Sequence, residues 1–129
     1  MKQVILALIS VMTFITVNAQ KQNWNEMHDF HAVMSKTFHP AEENNLQPAK
    51  DNATELLAKA KTWQNSVVPS GYDAAAIKPV LKDLVADCMA IEEAVKQKKP
   101  DSELKKLVIK SHETFHEIME KCKKETGRS

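Results

Sequence analysis

Glycine is nearly missing from this chain, with two residues in 129, and proline (five) and cysteine (two) are also few. An all-β sandwich or barrel spends such residues on its many tight turns, so β architectures are excluded. The abundant Ala, Leu, Lys, Glu and Met are good helix formers. No C-x-x-C-H string occurs, so covalent c-type haem attachment is excluded. Glycine-rich phosphate loops and the G-x-S-x-G elbow are missing too, which removes the common nucleotide-binding and hydrolase signatures. Nor does one sign of charge prevail: 18 Lys and Arg face 17 Asp and Glu, interleaved along the chain. Binding to nucleic acid or to an anionic membrane would want a basic face, and none is indicated.

The most apolar stretch is at the start. Lys2 precedes the run Val4 to Val17, which is interrupted only by Ser10, Thr13 and Thr16, and Val17-Asn18-Ala19 is a small-residue cleavage signal before Gln20. The run of about 14 residues is shorter than the roughly 20 needed to span a bilayer. Residues 1–19 therefore read as a secretory signal peptide, and residues 20–129 as one exported domain, in the bacterial periplasm, with no membrane attachment after cleavage.

Apolar spacing in that domain predicts helices. Trp24, Met27, His31, Met34 and Phe38 follow a 3-4 alternation, which places a first helix from about Gln22 to Phe38, stopped by His39-Pro40. Pro48 suits the first turn of a second helix that buries Ala53, Leu56, Leu57, Ala60, Trp63 and Val67, before the loop Val68-Pro69-Ser70-Gly71-Tyr72. Asp73 can cap a third, with the stripe Ile77, Leu81, Leu84, Cys88, Ile91 and Val95 and with Pro79 in its first turns. After Pro100, Asp101 or Ser102 caps a fourth, which buries Leu104, Leu107, Val108, Ser111, Phe115, Ile118 and Cys122. Short links between amphipathic helices imply an all-α, antiparallel up-down-up-down four-helix bundle.

The five histidines are placed specifically. His28 and His31 are spaced i, i+3 on the first helix, and His112 and His116 are spaced i, i+4 on the fourth, so each pair shares a helical face. With Phe38 and Ser102 at one end of the bundle, residue i of the first helix stands level with residue 140−i of the fourth. That pairs His28 with His112, and puts His31 and His116 each within about one turn, roughly 5 Å, of their level. A pivot at Lys99-Pro100 brings Cys88 to the same level, with Met27 flanking it. Imidazole, thiol and thioether suit Zn, Cu, Ni or haem iron rather than Ca or Mg. The expected metal ligands are thus His28, His31, His112 and His116, with Cys88 and Met27 as further donors. His39, with Glu42 and Glu43, forms a secondary surface candidate.

His112-Glu113-Thr114-Phe115-His116 spells the H-E-x-x-H of zinc proteases. No downstream segment supplies a third ligand there, and no strand is predicted to hold an extended substrate. No nucleophile with an activating base is visible, so the chain is not read as an enzyme. The same pivot sets Cys122 about ten residues, roughly 15 Å, from Cys88, so no disulfide is expected between them; Cys88 is expected to be buried and Cys122 exposed.

Taken together, a bundle of this size with a leader, with Met27 early in the first helix and His112 or His116 late in the fourth, resembles the periplasmic four-helix b-type cytochromes. That resemblance implies haem b held between Met27 and His112 or His116, and electron transfer. The strings Trp24 to His31 and Phe38 to Glu43 are similar to those of a group of small secreted bacterial proteins, which implies an exported bundle and no particular chemistry. The residues themselves favour an exported protein that binds a transition metal, Zn or Cu, for binding, buffering or delivery. The alternatives are the haem-b carrier and a structural or partner-binding bundle without metal.

Overall fold

Capping chemistry sets the helix ends of this chain more firmly than its prolines do. The computed structural model describes residues 23–126, with side chains to Cys122, so the leader expected over residues 1–19 lies outside the described residues. Four helices follow one another: α1 (Asn25–Glu42), α2 (Gln47–Asn65), α3 (Ala74–Lys96) and α4 (Asp101–Thr126). Asp73 caps α3 as expected, its Oδ1 accepting from the Ala76 N–H at 3.2 Å. Pro48 sits in the first turn of α2, where a missing N–H costs nothing. Pro79 lies inside α3 without ending it.

The helix boundaries differ in places from the sequence reading: α1 begins at Asn25, with Trp24 before it, and α2 ends at Asn65, short of Val67. α1 does not stop at Phe38 but runs through Pro40 to Glu42. Pro40 lacks a donor, yet its carbonyl accepts from Asn45 N–H (2.9 Å), and Ala41 O accepts from Asn44 N–H (3.0 Å). With Asn44 at φ 64°, this is a Schellman closure. α3 closes in the same way, with Lys98 at φ 51° and with Lys99 N–H on Ala94 O (3.0 Å) and Lys98 N–H on Val95 O (3.1 Å). α4 begins at Asp101, because Pro100 O accepts from Glu103 and Leu104 N–H; Asp101 is not a cap and instead pairs with Lys50 of α2 at 2.9 Å.

Contacts between helix ends give the direction of the chain. Trp24, just before α1, donates its indole N–H to Ser66 Oγ just after α2 (2.8 Å), and Tyr72 packs on the same ring at 5.1 Å. At the other end of α1, Lys105 of α4 donates to Asn44 Oδ1 (2.8 Å) and to the Glu42 carbonyl (3.4 Å). α1 is therefore antiparallel to both α2 and α4, and the helices form a ring in chain order, with the α1–α4 seam the least closely packed. Among the described residues no helix is long and apolar enough to cross a membrane.

The expected stripes fill the core: Leu56, Trp63, Ile77, Leu84, Cys88, Ile91, Val108 and Ile118 are all fully buried. Val67, at 88% exposure in the loop after α2, and His31 of α1 are exposed instead, and Phe38, Val95 and Leu107 are half-buried. Trp24, Phe30, Trp63 and Phe115 form a connected aromatic cluster, with ring centroids 5.5–6.0 Å apart. Such pairs add stability beyond the area they bury. Trp63 Nε1 is buried with no hydrogen-bond acceptor in reach among the described residues.

One polar link sits between α3 and α4. Asp87, 7% exposed, accepts from Thr114 Oγ1 at 2.6 Å and pairs with Lys110 Nζ at 3.0 Å. Asp87→Ala leaves the hydroxyl without this acceptor and should lower stability by about 1–3 kcal/mol in urea denaturation. Lys98→Gly should act in the opposite direction. Relief of the left-handed strain outweighs the added freedom of the unfolded chain, for a gain of about 0.5–1 kcal/mol by the same measurement.

Candidate metal centre

The position of each imidazole depends on the register between α1 and α4. A pivot through Phe38 and Ser102 would pair Met34 with Lys106 and Phe30 with Lys110. The structure pairs them with Ser111 and Phe115 instead: the Met34 sulfur lies 4.0 Å from Ser111 Oγ, and the Phe30 and Phe115 rings are 5.8 Å apart. The cause is the longer α1. Its true end meets Lys105, so α4 is displaced along it by more than a turn.

This displacement separates the expected pair His28 and His112. The His112 ring lies flat on Phe38, with centroids 3.5 Å apart and an angle of 7°. His116 takes the place expected of His112. It shares with His28 and His31 a cavity of about 250 Å³ between α1 and α4, lined also by Met27, Phe115 and Met119. His112 remains next to His116, at 4.4 Å and nearly perpendicular to it. His31 stacks on Phe115 at 5.0 Å and 10°, which orients its ring at the cavity wall.

Three of the expected ligands therefore share one space, and the fourth stands behind them. His28, His31 and His116 are exposed, whereas Met27 is buried and Met119 half-buried. Water can satisfy both nitrogens of an exposed imidazole. Among the described residues no three His, Cys, Asp or Glu side chains already stand in a ligating array.

The other expected donors are elsewhere. Cys88 is fully buried on α3 and is not among the residues lining the cavity. Burial, reinforced by the neighbouring Asp87 charge, pushes its thiol up to about 12. Cys122, expected to be exposed, is 5% exposed and is not in a disulfide with Cys88. His39 Nδ1 approaches Glu42 Oε1 only to 3.9 Å, and both are well exposed, as is Glu43. Glu113 of the H-E-x-x-H string also faces solvent.

The sequence reading missed the Phe38–His112 stack and the part Phe115 plays as cavity wall. Both residues had been assigned to apolar stripes, and only the register brings them against imidazoles. The chain matches no known protein family, no curated protein and no solved structure.

His112 carries a pH dependence. Burial lowers its pKa first, then the nearby His116; Glu42 opposes this, and His39 and His31 add to it. The folded state thus favours neutral imidazole, while the unfolded chain takes up its proton near pH 6.5. Between the two values the unfolded chain binds more protons, so stability is full above about pH 6.5 and is lost as pH falls through the folded value. Urea midpoints of the metal-free protein should fall from pH 7 to pH 5, and His112→Gln should flatten that slope.

Proposed function

We propose that this protein binds one transition-metal ion in the groove between α1 and α4, as an exported carrier or buffer. A single observation supports the reading: residues from two helices distant in sequence, His28 and His31 with His116, line one cavity together with two methionines. Neutral nitrogen and sulfur donors suit Zn or Cu, and among the described residues the lining contains no carboxylate of the kind Ca or Mg needs. The leader read in residues 1–19 would carry this activity to the periplasm.

The size of the groove favours an ion over haem b. Its volume of about 250 Å³ lies below the roughly 300–1,000 Å³ of sites that enclose organic ligands, so a porphyrin would have to part α1 from α4. Of the expected axial set, Met27 and His116 line the cavity and His112 does not. The reading without metal keeps the same fold and predicts no uptake at all.

Elemental analysis and an absorption spectrum of tag-free protein test the proposal. One equivalent of Zn or Cu per chain is expected, without a Soret band. His31→Ala/His116→Ala should lose the ion and keep the helical circular dichroism, whereas His39→Ala should retain it. Uptake should weaken below about pH 6, because only neutral imidazole ligates. Wild-type protein that takes up neither metal would sink the proposal, and a Soret band would replace it with the haem reading.

A further inference from the structure

The cavity lining holds a second regularity. On α1, Met27 and His31 are spaced i, i+4; on α4, His116 and Met119 are spaced i, i+3. Each spacing puts both side chains on one helical face. Each helix thus brings one thioether and one imidazole to the same space, a two-nitrogen, two-sulfur set with His28 at the rim. The remaining wall is Phe115, which is 4% exposed and belongs to the aromatic core.

Resting on the metal-binding reading above, we infer that this site is selective for the oxidation state of its ion and takes Cu(I) in preference to Zn(II) or Cu(II). Three features of the lining support this. Thioether sulfur is a soft donor that selects Cu(I), whereas zinc sites are built from thiolate, imidazole and carboxylate. Among the described residues the lining includes no thiolate and no carboxylate, so none of them offers an anionic ligand to offset the second charge of a divalent ion. Moving charge away from water is costly, and the cost is smaller for a monovalent ion. Finally, Met27 is 6% exposed at the inner end while His28 is exposed, so an ion seated deep in the groove meets sulfur and one entering meets imidazole.

Competition against a chromophoric Cu(I) chelator under anaerobic conditions with ascorbate, and against a zinc chelator in parallel, tests the inference on the full mature chain. Wild-type protein should hold Cu(I) more tightly than Zn(II). Met27→Leu/Met119→Leu nearly conserves volume and should keep the fold. It should weaken Cu(I) binding by at least about tenfold, the low end of what a lost outer-shell partner costs a metal site, and leave Zn(II) unchanged. His31→Ala/His116→Ala should weaken both ions. Cys88→Ala/Cys122→Ala should leave Cu(I) binding intact, and X-ray absorption at the copper edge of selenomethionine-labelled protein should show selenium neighbours. Equal affinity for the two ions, an unchanged Cu(I) affinity in the double leucine variant, loss of binding with the thiols, or copper without selenium neighbours would each overturn the selectivity while a metal site remains. Failure of wild-type protein to bind either ion would remove both readings.

Discussion

The turn that ends α1 is the constraint on which the rest of the structure depends. Pro40 supplies no N–H, but its carbonyl and that of Ala41 receive the last two backbone donors, with Asn44 in the left-handed region. The helix thereby gains the four residues from His39 to Glu42, about 6 Å of rise. Lys105 then anchors α4 to the new end through Asn44 and the Glu42 carbonyl. That single closure decides which face of α4 meets which turn of α1, and so decides that His116, rather than His112, joins His28 and His31.

Much of the fold was legible in the residues. The apolar spacing located all four helices and most of their core, because burial along a 3.6-residue period is a strong signal, but it passed over Phe30, Val33, Val80, Val85 and Ala94 and set the exposed His31 on the α1 stripe. The Asp73 cap and the Pro48 start were legible for the same local reasons. The α1 terminus was not: a proline normally biases the preceding residue away from the helix, and here the carbonyl contacts of the following turn outweigh that bias. A site built from two helices inherits every error in their ends. The histidine pairs on α1 and α4 were readable from sequence, whereas which of them line one cavity depends on the register: His116 joins His28 and His31 there, and His112 and Cys88 do not line it. Cys122 was misjudged similarly, since its burial at the end of α4 depends on how far that helix extends past the loop that carries Tyr72.

The groove is also where the bundle is least closely packed. Large apolar side chains close the other seams, while α1 and α4 present histidines at theirs, and exposed imidazoles keep water where a leucine would exclude it. Met27 and Met119 line what remains, with unbranched chains that adapt to an irregular space. Loose packing here costs the fold little, because Asp87, Lys110 and Thr114 join α4 to α3 on its far side.

Phe115 belongs to two environments at once. One face of its surroundings is the cavity, and His31 stacks on it; on the core side it touches Phe30 and Trp63. Trp63 in turn meets Trp24, so both indoles of the chain lie within two ring contacts of the groove. The protein therefore carries its own optical gauge: any event that tilts the Phe115 ring changes the surroundings of an enclosed fluorophore, and ultraviolet emission alone can follow the groove without an attached dye.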